Sequence, residues 1–314
     1  GGIAGLSTTI SLLHQNISCT LYESAPTFTE IGAGVAMVPN AVRAMNLLDP
    51  AISAGYEAIA TRNADGVWFE YNLGMREEEW AGKEGMRIVG VQAGDRGLVP
   101  MEKAVEAVGD ALARNAQQYL GHHGHVLTFP IEKGKTLNVV AIRNKDGDWE
   151  DERWVLPTKK EDMINDFAGW GESVQRILSL MENPNLWALF DHPPAPTYYK
   201  GRFAILGDAA HASTPHQGAG AGQAIEDAYI MTHLLGKANC VEDIEDAFRA
   251  FDSVRRPRTQ KVVATSRDAG SLYEFEDETV GTDLDLLKRN LETRFNWIWN
   301  EDLLQQLKTA QDIM

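Results

Sequence analysis

The densest chemistry in the sequence lies between Gly201 and Leu235. There the apolar run Phe203-Ala204-Ile205-Leu206 delivers Gly207-Asp208-Ala209-Ala210-His211, and Pro215-His216-Gln217-Gly218-Ala219-Gly220-Ala221-Gly222 follows just before a helical stretch. Open α/β sheets bind ligands at the C-terminal ends of their strands. Gly207 permits close approach at such an end, and the Asp208 carboxylate can hold a sugar or polyol hydroxyl. Gly218, Gly220 and Gly222, with Ala219 among them, leave bare backbone N–H groups at a helix start, which stabilise negative charge on a bound group. An unperturbed imidazole titrates near pH 6.5, so His216 can accept or share a ligand's proton around neutrality. Pro215 has no N–H and offers only its carbonyl. A plain strand–turn–helix accounts for one or two of these glycines, but not for three alternating ones beside a His-x-x-x-Pro-His run. His211 reads as a structural histidine capping the loop.

A second cluster opens the chain. Gly1-Gly2-Ile3-Ala4-Gly5-Leu6 runs into an apolar helical stretch ending near Gln15, and Ser18–Glu23 reads as a short strand ending on an acid. In a G-x-G-x-x-G fingerprint, Gly2 and Gly5 fit the second and third glycines. Gly2 would let backbone approach a pyrophosphate at the helix N-terminus, and Gly5 would let the helix pack on a sheet. Glu23, eighteen positions after Gly5, would accept hydrogen bonds from ribose hydroxyls. The fingerprint's first glycine and the strand before it are missing, so the chain is expected to be a piece of a longer polypeptide.

The remaining elements must position these groups. Asn40–Leu48 and Pro50–Thr61 read as helices, and Gly66–Tyr71 and Met86–Gln92 as strands. Gln117–Gly121, His125–Ile131 and Thr136–Arg143 are short strands separated by turn residues, followed by helical periodicity over Glu161–Met181 and a candidate strand at Leu186–Phe190. This pattern predicts an antiparallel sheet with a helix packed on it. Phe203–Leu206 reads as a buried strand of the parallel kind. A helix over Gly222–Leu235 and two long helical segments, 241–268 and 283–312, complete the chain. The predicted class is α/β: a Rossmann-like domain from 1–97 and 200–265, an inserted sheet domain at 98–199, and C-terminal helices at 266–314. The Trp297/Trp299 pair is expected in helix packing or a subunit contact.

The 314 residues include 29 Lys and Arg against 45 Asp and Glu, a net charge of −16. A surface this acidic repels phosphate backbones and anionic lipid, which excludes nucleic acid or a membrane surface as the expected partner. No apolar run reaches the roughly 20 residues of a membrane span. The two cysteines, Cys19 and Cys240, make no disulfide framework, and a reducing cytoplasmic compartment is expected. His122-His123-Gly124-His125 lacks matching cysteine or acidic spacing, so no metal site is expected there.

Taken together, GDAAHASTPHQGAGAGQAIEDA, the opening glycines and Ile31-Gly32-Ala33-Gly34-Val35 with Pro39-Asn40 resemble the flavoprotein aromatic hydroxylases of the p-hydroxybenzoate hydroxylase fold, salicylate hydroxylase branch. The resemblance spans most of the chain, in order. It implies an FAD-dependent monooxygenase with NADH or NADPH as co-substrate, taking O2 and hydroxylating a small aromatic acid through a C4a-hydroperoxyflavin. Salicylate would give catechol with loss of CO2. Gly2, Gly5, Glu23, Gly207, Asp208, Gly218, Ala219, Gly220 and Gly222 would hold the cofactor. His216 and Pro215 would face the substrate, and Arg143, or His125, is the candidate for its carboxylate. A monomer or homodimer is expected. The alternatives are a relative acting on a larger aromatic or polyketide substrate, and a non-catalytic scaffold with a flavin fold. Two family features, an Asp-Gly motif and a His-Arg-x-x-Leu segment upstream of it, are missing. Both belong near Asp95-Arg96-Gly97-Leu98, where a further internal stretch is therefore expected.

Overall fold

The computed structural model describes residues 1–26, 35–61, 68–76, 85–91, 101–145, 147–182 and 184–314. Ile31–Gly34, the start of the Gly66–Tyr71 strand and the Asp95–Leu98 join lie outside these.

Five strands form the central sheet: β1 (Phe69–Leu73), β2 (Arg87–Val91), β3 (Gln117–Gly121), β4 (Gly124–Ile131) and β5 (Thr136–Arg143), in the order β2-β1-β3-β4-β5. All neighbours are antiparallel except β1 and β3, which run parallel. β1 and β2 thus belong to the same sheet as β3–β5, and the boundary expected at residue 97 does not divide it. Side chains alternate across the pleat. Tyr119, Val126, Leu137 and Val139 bury one face, against α4 (Met101–Val108), α6 (Lys160–Asp166) and α7 (Glu172–Ser179). Gln118, His125, Leu127 and Phe129 point from the other. The periodicity over 161–181 is divided into α6 and α7 by Gly169-Trp170-Gly171, where Trp170 turns inward.

The second layer is helical. α1 (Gly2–His14), α2 (Pro39–Leu48) and α9 (Gly220–Leu235) pack together, and the long α10 (Asp243–Tyr273) crosses α9. Between them in sequence lie α3 (Pro50–Ile59), α5 (Asp110–Ala113) and α8 (Asp208–His211). Asp49 caps α3, its carboxylate accepting from Ala51 N with Pro50 in the first turn. α11 (Leu284–Thr293), α12 (Asn296–Trp299) and α13 (Leu303–Ile313) close the core, so 283–312 is three helices rather than one. Trp299 stacks on Phe295 and meets Trp68 edge-on, which places it in helix packing. No helix among the described residues is long and apolar enough to cross a membrane.

Three strand expectations are corrected. Ser18–Glu23 is extended but enters no ladder among the described residues; Gly1 N donates to Tyr22 O at 2.8 Å. The Phe203–Leu206 strand shrinks to β9 (Phe203–Ala204), paired antiparallel with β8 (Tyr199–Lys200), and Phe203 is exposed rather than buried. A strand persists only where a neighbour takes its backbone groups. Near Phe203 that neighbour is Lys200, three residues back, reached through Gly201 at φ +57°. Leu186–Phe190 likewise reduces to β7 (Asn185–Trp187), paired with β6 (Val155–Pro157).

A Cβ at Gly121 would stand 2.7 Å from the Trp170 ring. Gly121→Ala is expected to destabilise the protein by about 1–3 kcal/mol, read as a lower urea midpoint. An unchanged midpoint would show that the ring yields freely.

Candidate functional site

The site is built on the loop leading into α9, and that loop is held by a buried carboxylate. Asp227, inside α9, accepts from Gly207 N (3.0 Å) and pairs with His211 Nε2 (2.6 Å) through one oxygen, and accepts from Arg255 Nε (2.7 Å) through the other. Burial pushes this carboxyl up, but His211, Arg255 and the Gly207 N–H together hold it well below the carboxylate range. Its neighbour Glu226 accepts from Arg255, Arg258 and Asn40. Gly207 sits at φ +60°, ψ −147°, a conformation reserved for glycine, and a Cβ there would lie 2.9 Å from Ala4. His211 is structural, as the sequence suggested.

Above this anchor lies a cavity of about 650 Å³. One end is formed by Gly1–Ala4 at the start of α1, by Asp208 and by Gly218–Ala221 at the start of α9. Neither helix has a side-chain cap at its N-terminus, so both present open N–H groups there. The other end is the sheet face: Phe69, Gln118, His125, Leu127, Phe129 and Asn138, with Val140 and Ile142 beside them. Pro215 and His216 stand between the two. Asp208, His125 and His216 are the ionisable side chains among the described lining; no lysine or arginine is included.

The structure thus brings Gly2, Asp208, Gly218, Ala219, Gly220, Pro215 and His216 to one cavity. His125, the alternative to Arg143, lines it as well; the remaining expected residues stand outside the lining. Gly5 gives α1 its approach to Leu21, and Gly222 its neighbour α2, where a Cβ would meet Ala41 at 3.1 Å. Gly207 serves the anchor. Glu23 accepts from Ala25 N and faces the Gly1 amino group. Arg143 is a correction: its guanidinium donates to the His122 carbonyl at 2.7 Å and does not line the cavity. An arginine beside a backbone carbonyl satisfies that acceptor rather than reaching across the sheet.

His216 has a defined tautomer. Its Nδ1 lies 3.1 Å from the Ser266 carbonyl, which can only accept, so Nδ1 carries the proton and Nε2 keeps a lone pair. That Nε2 is buried with no protein partner. Burial, with His125 close by, lowers the imidazole to about 4. Gly270 on α10 makes room for the ring, since a Cβ there would stand 2.8 Å from His216 Cε1. Gly270 and Glu274, absent from the residues singled out in the sequence, join the site only because α10 runs past it. No local spacing announces either. His125 is fully buried and lowered to about 3 by burial alone, and its Nδ1 faces Glu274 Oε1 at 3.2 Å. Burial, above all, raises the Glu274 carboxyl to about 7.

Comparison with known proteins gives the following. A family model described as FAD binding domain matches residues 188–266. The 6-methylsalicylate 1-monooxygenase atA of Aspergillus terreus is 34% identical over 404 aligned positions, covering 100% of this chain and 90% of that protein. A salicylate hydroxylase of Pseudomonas putida is 32% identical, covering 96% of this chain and 91% of that protein. A solved salicylate hydroxylase substrate complex superposes with a TM-score of 0.84 at 32% identity, covering 98% of this chain and 96% of that one. The 404 positions of the first alignment exceed this chain's 314 residues by 90, so at least that many positions of the alignment have no residue here.

Asp227→Asn removes one charge from a buried cluster and leaves Arg255 short of a partner. It is expected to cost about 3–5 kcal/mol, read by denaturant unfolding at pH 7. Because the folded carboxyl titrates below its ordinary value of about 3.9, its contribution is complete above that pH and is lost as pH falls below it. The gap between wild type and variant should therefore be constant from pH 7 to 5 and narrow below about pH 4.

Proposed function

We propose, from the premise that this chain belongs to the FAD-dependent monooxygenases related to salicylate hydroxylase, that it hydroxylates a small phenolic acid of the salicylate type, releasing CO2 and a catechol. The observation that carries this reading is the single cavity joining two uncapped helix starts to an apolar sheet face, with the His216 lone pair between them.

The residues present fit the flavin. The start of α1 at Gly2 suits the pyrophosphate, Glu23 the adenosine ribose, Asp208 the ribityl chain, and Gly218–Gly220 at the start of α9 the electron-rich edge of the ring. When bound, FAD supplies the redox chemistry, passing electrons from NADH or NADPH to O2 and an oxygen atom to the substrate. The chain's own residues do the rest. His216 Nε2, kept uncharged by its burial, accepts a hydrogen bond from the phenol, which makes the ring more electron-rich at the carbon to be attacked. Nδ1, held by Ser266, keeps that lone pair aimed. The Pro215 carbonyl accepts without competing as a donor. Leu127, Phe129, Val140 and Ile142 exclude water from the reacting centre. With Arg143 committed to His122, the amides of Gln118 and Asn138 are the sheet groups that meet the carboxylate; each has a buried, unpartnered nitrogen.

The lack of lysine and arginine in the described lining also favours a second reading, a larger phenolic or polyketide substrate without a carboxylate. Substrate-stimulated oxidation of NADH and of NADPH by the FAD-loaded protein separates the two, with salicylate, 6-methylsalicylate and neutral phenols as probes. Catechol and CO2 from salicylate support the first. Stimulation by neutral phenols alone supports the second, and none at all removes both.

His216→Ala is expected to lower hydroxylation by at least about 10²-fold while reduced nicotinamide is still consumed, the lost product appearing as H2O2. Unchanged coupling would remove His216 from its role.

A further inference from the structure

Behind the sheet end of the cavity, side chains from three elements meet: His125 on β4, His216 on the single turn Pro215–Gln217, and Glu274 just after α10. One ring nitrogen of each histidine and a Glu274 carboxylate oxygen lie within 4.8 Å of one another. His125 Nδ1 and Glu274 Oε1 are 3.2 Å apart, close to the roughly 3.4 Å between neighbouring ligands of a tetrahedral ion. His216 has Nδ1 engaged by the Ser266 carbonyl and the Thr214 hydroxyl, with Nε2 buried and unpartnered. A carbonyl behind a ligating imidazole is how metal sites fix the tautomer and aim the lone pair.

We propose that His125, His216 and Glu274 form a site for a divalent transition-metal ion of the zinc class, entered from the cavity. Two imidazoles and one carboxylate suit zinc and its neighbours, whereas magnesium and calcium take oxygen ligands. Three protein ligands would leave a fourth position for water or a bound group. Loading would require the widest pair to close by up to about 1.4 Å. The run His122–His125 has no ligand spacing of its own; the fold supplies the partners from positions 216 and 274. An ion here occupies the lone pair that the phenolic proton would otherwise use, so metal and substrate exclude each other. That exclusion rests on the proposed function; metal binding does not.

The test titrates the FAD-loaded full chain with zinc by calorimetry, and with cobalt(II) by visible absorption. One zinc per chain is expected, together with cobalt bands of four-coordinate intensity in the unmodified protein. Glu274→Gln should weaken zinc binding by at least about tenfold. His123→Ala, which removes the exposed His123–Glu276 pair as a rival site, should leave it unchanged. Zinc should also raise the apparent KM for the aromatic substrate, reversibly with chelator. No stoichiometric binding, binding indifferent to Glu274→Gln, or binding abolished by His123→Ala overturns the proposal. Should Glu274→Gln fail to fold, the cobalt spectrum of the unmodified protein decides. Zinc bound as expected by a protein that hydroxylates nothing supports the metal site and fails the functional reading alone.

Discussion

Arg255 is wholly buried, and its guanidinium is shared between Asp227, Glu226, Gln223 and Gln306. A charge taken out of water this completely is tolerable only when every donor has an acceptor. The requirement fixes α9 against α10 and draws in α13 through Gln306. Arg258 extends the cluster to Glu301 and to the carbonyls of Trp297 and Ile298. Asn40 ties α2 to it through Glu226. Swapping such a cluster for apolar groups of matched shape can be neutral; removing one member is costly. Its contribution therefore lies in the single arrangement it permits. Because Asp227 also receives Gly207 N and His211, that arrangement includes the cavity loop.

The cavity follows from the same constraint. With Gly207 pinned, α9 begins at Gly220 without a side-chain cap, and α1 begins at Gly2 without one. Two sets of open N–H groups then border a cavity whose far wall is the pleated sheet face. Its polar lining is mostly neutral: amides from Gln118 and Asn138, and imidazoles whose burial keeps them uncharged at neutral pH. Electrostatic preference in this pocket thus comes from fixed dipoles more than from ions, which suits a ring that gains and loses negative charge. Glu274 lies behind the imidazoles, close enough to tune them.

Much of this was legible in the residues. β3, β4 and β5 emerged nearly at their observed bounds because their apolar alternation and turn residues are local signals. So did α2, α3 and α9. The Gly207–Gly222 block was readable because its spacing departs from what a plain turn needs. What escaped were properties of partners. Ser18–Glu23 and Phe203–Leu206 look like strands by composition, but a ladder depends on a neighbour that composition does not specify. Arg143 looked like an anion ligand until the nearby His122 carbonyl claimed it. Gly207 and Gly222 are glycines for loop geometry and helix packing rather than for cavity contact, a distinction only the folded chain makes. His125, Gly270 and Glu274 converge on His216 across more than 50 residues, beyond any motif.

The short β8–β9 hairpin carries a consequence of its own. Phe203 is 71% exposed on it, and Tyr22 is 84% exposed on the Ser18–Glu23 segment, which enters no ladder among the described residues. Each stretch offers backbone donors and acceptors next to a bare aromatic ring, the combination that templates strand addition. A strand laid along either edge would be held by ladder hydrogen bonds and by contact with the ring.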